Sequence, residues 1–181
     1  MSGSLQARST TGAVLASIAD LLVPPDGTSG GIDAGPVTYE RFTGFEGLPH
    51  FNPDRDVDPA PPEVAAWRST LAGADAVVIV TPEYAHSYPG ALKDALDWTV
   101  GSGEFVDMPV LLVSASGGGG VRAGEALAPV LRAMSARLVG PISVWGVSPK
   151  VVDGRLTDAD DLAALAAAVG ELLAFASQPT E

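Results

Sequence analysis

The sequence has no cysteine, few positive charges and no long apolar run. The absence of cysteine excludes disulfide bridges, thiolate nucleophiles and cysteine-bound metals. Lys and Arg number 10 against 22 Asp and Glu, and the net charge of −12 argues against a nucleic-acid partner, because phosphate backbones require a basic surface. A membrane-spanning helix needs ~18 consecutive apolar residues, which the sequence lacks, so no membrane partner is expected. The first residues do not have the basic and apolar pattern of a secretory signal, and we therefore expect a cytoplasmic protein.

Length and hydrophobic periodicity predict one α/β domain over residues 1–181. Apolar, β-branched runs typical of buried strands alternate with segments of helical periodicity. The predicted strands are residues 77–81, 110–113 and 138–145, and the predicted helices are residues 63–72, 122–137 and 158–176. Such alternation favours a parallel sheet with helices on both faces. Weaker alternation predicts another short strand at residues 37–42, and Thr157 is the predicted N-cap of the last helix.

The amino-terminal residues are small and hydroxyl-rich, and they lead into a helix with Val14 and Ile18 on its apolar face. Ser9 or Thr10 would cap this helix. Taken alone, the pattern indicates only a capped amphipathic helix. A sharper hypothesis is an anion site, because hydroxyl groups and free N–H groups at the start of a helix attract phosphate. In so acidic a chain, a phosphate would be held mainly by backbone N–H groups and hydroxyls.

The most informative stretch is TPEYAHSYPGALKDALDW, residues 81–98. It starts at the carboxyl end of a predicted buried strand, where open α/β sheets bind ligands, and it continues through a polar loop into a helix opened by Pro89. The stretch resembles the signature of the NADPH-dependent FMN reductase family, T-P-E-Y-N-x-S-x-P-G-x-L-K-N-A-I-D-W. The chain departs from that signature at Ala85 and Asp94, where the family usually has Asn.

This resemblance implies a flavodoxin-like three-layer α/β fold, with a parallel sheet of strand order 2-1-3-4-5, and the cofactors FMN and NADPH. The implied reaction passes hydride from NADPH to the flavin, and electrons then go to a small acceptor such as a quinone, a free flavin, an azo compound or a metal oxyanion. Because the flavin carries the chemistry, no catalytic residue is assigned to the chain itself. His50 and His86 are too isolated to indicate a metal site.

The resemblance also implies which residues bind FMN. The implied set is Ser4, Gln6, Ser9 and Thr11 for the phosphate, and Pro82, Glu83, Tyr84, Ala85, Ser116, Gly117, Gly118 and Gly119 beside the flavin ring. The phosphate motif of the family reads G-S-x-R-x-x-S-x-N, so Gln6 replaces its Arg and Thr11 replaces its Asn. Arg8 is a candidate to restore the positive charge. Two simpler interpretations stay open, namely Glu83 as a solvated loop acid and the glycine run as a flexible turn.

Only Met1 and Ser2 precede the phosphate motif, so the first strand of the family fold is missing or truncated in this sequence. That strand is interior in the implied sheet, and its loss would leave the backbone groups of its neighbours unpaired. We expect the coding sequence to start further upstream. We also expect the 181-residue chain to be poorly stable and to bind FMN weakly.

A homodimer or homotetramer built on the helix at residues 89–100 is a further implication, although Trp98 could instead pack under a loop of its own chain. Trp67 and Trp145 are expected in the core or at an interface. Two other functions stay open. One is an FMN-binding electron carrier that does not use NADPH, whose acidity would suit a basic redox partner. The other is a relative that has lost flavin binding, which its departures from the family motifs would explain.

Overall fold

The structure is a computed structural model that describes residues 1–6, 9–23, 37–118 and 120–178. The α-helices are α1 (Thr10–Leu22), α2 (Pro62–Ala72), α3 (Gly90–Asp97), α4 (Val121–Ala133) and α5 (Ala159–Ala176). The strands are β1 (Val77–Thr81), β2 (Pro109–Ser116), β3 (Arg137–Trp145), β4 (Val151–Val152) and β5 (Arg155–Leu156). Short 3₁₀ helices span Gly44–Gly47, Pro53–Arg55 and Ser148–Lys150. Within these described ranges, no helix is long and apolar enough to cross a membrane.

Strands β1, β2 and β3 form a parallel sheet in that order, with Ile79 opposite Leu112 in the register. Successive side chains of a strand point to opposite faces, so β1 supplies both halves of the core. Val80 packs with α1 and α5 on one face, and Ile79 packs with α2, α3 and α4 on the other. This arrangement confirms the predicted α/β flavodoxin-like fold, and the three strands are the third, fourth and fifth of the predicted order.

Residues Met1 to Gly3 pair with the free edge of β1, where the first strand of the predicted order would lie. Ser2 forms a parallel bridge with Val80. The N–H of Gly3 donates to the Val80 carbonyl at 2.8 Å, and the N–H of Val80 donates to the Met1 carbonyl at 3.0 Å. Beyond Met1, a cavity of about 710 Å³ follows the same edge, lined by Val77, Val78 and residues of the 37–42 segment.

The amino group of Met1 is buried at this edge and donates to the carbonyl of Val78. Burial, helped by the positive charge of Arg41, lowers the pKa of this amino group to about 5. A protonated amine loses its hydration on burial, so the fold favours the neutral form. The Met1 amino group therefore hydrogen-bonds to the edge of β1, and its burial disfavours the protonated form.

The predicted strand at residues 37–42 is wrong, because this segment is described without regular secondary structure. In the order 2-1-3-4-5 its only strand neighbour would be the first strand. In that position the described residues form the pairing of Met1 to Gly3 with β1. The 37–42 segment has suitable β-branched and aromatic residues, but among the described residues no backbone forms a ladder with it.

Two predicted helix ends also need correction. The N-cap of α5 is Asp158, whose carboxylate accepts the Asp161 N–H at 3.0 Å, whereas the Thr157 hydroxyl donates to the Lys150 carbonyl at 2.9 Å. Thr157 is thus held by the preceding turn and cannot reach the first turn of the helix. Helix α4 ends at Ala133, earlier than predicted, because Arg137 already belongs to β3.

The three tryptophans lie in different environments. Trp98 is fully buried, its indole N–H donates to the Pro49 carbonyl at 2.8 Å, and its ring meets Phe51 edge to face. It packs under a loop of its own chain, which is the simpler of the two alternatives. Trp67 is also in the core, as predicted, but the side chain of Trp145 at the end of β3 is 55% exposed.

Candidate functional site

The segments predicted to bind the cofactor meet at the carboxyl edge of β1 and β2. The loop after β1 and the loop after β2 leave neighbouring parallel strands, so they emerge side by side. The amino-terminal segment joins them, because a β-carbon added to Gly3 would lie 3.2 Å from Leu92 Cδ2 and 3.5 Å from Pro82 Cδ. The fold therefore brings together three stretches that are far apart in sequence.

Hydroxyl groups form a connected cluster at the start of α1. Ser9 is the N-cap, and its Oγ accepts the Gly12 N–H at 2.9 Å, as one of the two predicted caps. The hydroxyl of Thr11 lies 2.9 Å from Ser9 Oγ and 3.2 Å from Ser2 Oγ. Thr11 is fully buried, so its hydroxyl joins the start of the sheet to the start of the helix.

The two other predicted phosphate residues lie in the same segment, nearer to solvent. The Ser4 N–H donates to Ser2 Oγ at 3.3 Å, and Ser4 Oγ accepts the Gln6 N–H at 3.2 Å. Gln6 is exposed. These side-chain-to-backbone bonds shape the segment as a series of tight turns. Arg8, the predicted replacement for the missing charge, lies outside the described residues.

Glu83 connects the loop after β1 to the start of α4. Its Oε2 accepts the N–H groups of Arg122 at 3.1 Å and Ala123 at 3.3 Å, and its Oε1 lies 3.3 Å from His86 Nδ1. Burial raises the pKa of Glu83, but the bonds from His86, Ala123 and Arg122 outweigh it, and the net pKa is lower than usual. Amide groups at a helix start favour a carboxylate. The bonded partners contradict the simpler interpretation of Glu83 as a freely solvated acid.

A tight turn projects from the loop after β1. The N–H of Tyr84 donates to the Ser87 carbonyl at 2.8 Å, and the N–H of Ser87 donates back to Tyr84 at 3.0 Å. The two central residues, Ala85 and His86, have φ of 50° and 64°. This left-handed region suits Asn better than Ala. The departure at Ala85 therefore places a strained residue where the family signature has a tolerant one, while Pro82, at the start of the same loop, is buried.

A second departure, Asp94, lies on α3. Its Oδ2 is 2.8 Å from His50 Nδ1, and its Oδ1 accepts the N–H of Phe51 at 3.2 Å. The carboxylate thus holds the loop that covers Trp98. Its role in the structure is to fix a loop of the same chain to α3.

The glycine loop after β2 offers an open backbone surface. Ser116 Oγ accepts the N–H of Gly118 at 3.2 Å. Gly117 and Gly118 are exposed, and a β-carbon added to Gly118 would meet no atom within 4 Å. Gly119 lies outside the described residues. A planar ring could approach Gly118 closely, and the hydroxyl cluster at α1 offers donors to a phosphate, so the described residues fit FMN.

Sequence reasoning missed three contributors. Ser2 was not assigned to the site, and the amide groups of Arg122 and Ala123 were not expected to hold Glu83. These contacts join residues 9, 39 and 40 positions apart, and no local spacing encodes them. The third, Arg41, reaches the start of α1 from the segment that was predicted as a strand.

The comparisons with known proteins agree with this geometry. The profile of the NADPH-dependent FMN reductase family matches residues 1–148. The NADH:(hydroxy)cinnamate reductase subunit CrdA of Vibrio ruber is 37% identical over 143 residues, covering 74% of this chain and 70% of that protein. The quinone reductase of Escherichia coli strain K12 is 36% identical over 120 residues, covering 64% of each. The structure of FerB, a flavoenzyme NAD(P)H:(acceptor) oxidoreductase from Paracoccus denitrificans, matches with a TM-score of 0.71 and 25% identity over 97% of this chain and 94% of its own.

The family profile covers the sheet, the hydroxyl cluster, the loop after β1 and the glycine loop. Its members combine a flavodoxin-like fold with FMN and a reduced nicotinamide dinucleotide, and they transfer electrons to small acceptors. The chain belongs to the NADPH-dependent FMN reductase family, and it is a flavin-dependent NAD(P)H oxidoreductase.

Proposed function

We propose that this chain binds FMN across its three carboxyl-edge loops and reduces quinones with electrons from NADPH. The observation that carries the proposal is the convergence of the hydroxyl cluster, the Glu83 loop and the open glycine loop at one edge of the sheet. Quinones are favoured as the acceptor because the relatives include a quinone reductase and a 2-hydroxy-1,4-benzoquinone reductase. Free flavins, azo compounds and metal oxyanions are the other acceptors to compare.

Each loop has a distinct part in this proposal. Ser4, Gln6, Ser9 and the N–H groups at the start of α1 would donate to the phosphate, while the buried Thr11 hydroxyl keeps Ser9 in place. Glu83 would hold its loop against α4, so that Pro82, Tyr84 and Ala85 form one wall beside the ring. FMN, when bound, supplies the hydride acceptance and the onward electron transfer.

The residues of the glycine loop would face the flavin ring. Ser116 fixes the loop by accepting the N–H of Gly118, and the exposed Gly117 would present its backbone N–H to ring oxygens. Donors fixed in place before the reaction stabilise negative charge that develops on a reduced ring. Gly119 is assigned to the same wall on its position in the motif.

A pair of glycine substitutions tests the ring position. Gly118→Val and Gly170→Val both add a side chain where no atom lies within 4 Å, but Gly170 is in α5, away from the carboxyl edge. We expect Gly118→Val to weaken FMN binding and quinone reduction at least about tenfold, a loss of about 1.4 kcal/mol or more, because the added side chain would hold the ring away from the loop backbone. Gly170→Val should leave flavin affinity unchanged. Equal FMN affinity in the two variants would refute the placement of the ring.

We further propose that the protein is a homodimer or homotetramer assembled through residues 89–100. Trp98 is buried within its own chain, so the contact would use the other residues of this segment, among which Val100 has an exposed apolar side chain. Light scattering of the FMN-loaded protein at micromolar concentration should give a multiple of 18.3 kDa, and a monomer would refute the assembly.

We also propose that the enzyme works in the cytoplasm, where reduced nicotinamide dinucleotides are supplied, and cell fractionation tests this.

A second candidate is electron delivery to a partner protein in place of a small acceptor. Two observations favour it: the net charge of −12, which suits a basic partner, and the name of the Vibrio ruber relative, a reductase subunit. Turnover with quinone alone separates the candidates. Fast, salt-independent quinone reduction supports the small acceptor, whereas slow turnover with every small acceptor supports a protein partner.

A further inference from the structure

We propose that Arg41 supplies the positive charge that binds the FMN phosphate, and that it makes the site select FMN over riboflavin. This inference rests on the proposed function. It assigns a role to a residue that lies outside the family motifs and 29 positions along the chain from Gly12, the residue of α1 that it reaches. The predicted alternative was Arg8, which is adjacent to Ser9 in sequence.

The guanidinium group of Arg41 lies at the N-terminal end of α1. A β-carbon added to Gly12 would be 3.6 Å from Arg41 Nη2 and 3.1 Å from Ser9 Oγ. Gly12 is also the residue whose N–H donates to Ser9 Oγ. The guanidinium and the capping hydroxyl therefore approach the same point on the helix, and the missing side chain at Gly12 leaves room for both.

A phosphate bound at the start of α1 would need a positive charge close to it. A phosphate monoester carries about −1.5 to −2 charges at neutral pH. Ser4, Gln6, Ser9 and Thr11 are neutral, and the chain as a whole carries −12. Hydroxyl and amide donors alone would leave that anion in a negative field. One guanidinium adds a full positive charge and two parallel N–H donors that fit phosphate oxygens.

A separate observation indicates that the positive charge of Arg41 acts on groups near the amino terminus. Burial lowers the pKa of the Met1 amino group most, and the positive charge of Arg41 lowers it further. Ser2, the next residue, shares a hydroxyl contact with Thr11 at 3.2 Å. Arg41 itself is exposed, so a ligand at the start of α1 could reach its guanidinium from solvent.

The test measures affinities for FMN and riboflavin, which differ only in the phosphate. Fluorescence titrations would compare the unmodified chain with Arg41→Ala, Arg41→Lys, Arg8→Ala and the control Arg132→Ala on α4. We expect Arg41→Ala to lose about 10- to 100-fold in FMN affinity, the range for hydrogen bonds to a charged group, and to leave riboflavin affinity unchanged. Arg41→Lys should keep part of the preference, and Arg132→Ala all of it. Melting curves without flavin verify that each variant is folded.

The outcomes separate this inference from the proposed function. If the unmodified chain binds neither flavin, both fail. If it binds FMN and Arg41→Ala keeps the same ratio of FMN to riboflavin affinity, the role of Arg41 is refuted and the proposed function stands. The role is also refuted if Arg8→Ala removes the preference and Arg41→Ala does not. Selective loss of FMN affinity in Arg41→Ala, with a shallower salt dependence, supports it.

Discussion

In a chain that begins at Met1, the buried amino group should make stability depend on pH between about 5 and 8. The pKa of this group is 8.0 in the unfolded chain and about 5 in the folded one. Between these values the unfolded state binds the proton and the folded state does not, so stability rises with pH. The free energy of unfolding is therefore highest above pH 8, and it decreases as the pH falls towards the folded-state pKa of about 5.

The size of the effect follows from the shift. A shift from 8.0 to about 5 corresponds to about 4 kcal/mol over the whole range, at about 1.36 kcal/mol for each unit. Between pH 6 and pH 8 the expected gain is roughly 2 kcal/mol. At pH 7, deprotonation of the amine still costs the folded state about 1.4 kcal/mol. These values are a large part of the ~5–15 kcal/mol that stabilises a typical domain.

The perturbation is a five-residue apolar, β-branched extension before Met1. It converts the ammonium into an amide N–H that still donates to the Val78 carbonyl, and the added residues can follow the edge of β1 into the 710 Å³ cavity. The extended chain should melt at a higher temperature and bind FMN more tightly. Urea unfolding of both chains at pH 6, 7 and 8 isolates the buried amino group, because the side chains of residues 1–181 are the same in both. If the free energies of unfolding of the two chains change with pH in parallel, the burial of the Met1 amino group does not govern the pH dependence.

Three further predictions concern single residues. Ala85→Asn should raise the free energy of unfolding by about 0.5–1 kcal/mol, because Asn tolerates the φ of 50° better than Ala, and a lower urea midpoint would contradict this. Glu83 has a lowered pKa despite its partial burial, so its stabilising contribution is present above the ordinary value of 4.5 and is lost as the pH falls below it. Glu83→Gln should therefore unfold less steeply in acid, and unchanged acid titration curves would argue against the tether to α4. Asp158→Ala should cost about 1 kcal/mol as the loss of an N-cap, and Thr157→Ala should cost less; the reverse order of melting temperatures would reject the assigned cap.

The parts of the fold that the sequence predicts are those with a strong local signal. The β-branched run of β1, the helix after Pro89 and the Ser9 cap of α1 each depend on neighbouring residues, and each forms where predicted, although α3 ends at Asp97, before the predicted residue 100. The segment at residues 37–42 has the local signal of a strand, but a strand needs a partner, and within the described part of the chain no backbone forms a ladder with it. The β4–β5 hairpin was not predicted, although Asp153 and Gly154 are typical of its two-residue turn.

The candidate site depends more on tertiary contacts than on motifs. The motifs identify the three loops, because each loop carries a recognisable run of residues. They do not indicate that Glu83 holds α4, that Thr11 is buried between Ser2 and Ser9, or that Arg41 reaches Gly12. Such contacts depend on the packing of elements that are distant in sequence. The electrostatic details of the site could therefore be read only from the folded chain.

The most direct test of the account is an anaerobic stopped-flow experiment on the FMN-loaded protein. We predict that NADPH removes the absorbance of oxidised flavin in a single fast phase, and that subsequent mixing with quinone restores it at a rate compatible with turnover. The same protein without FMN should show neither change. A protein that binds no FMN, or that binds FMN but is not reduced by NADPH or NADH, would contradict the central claim.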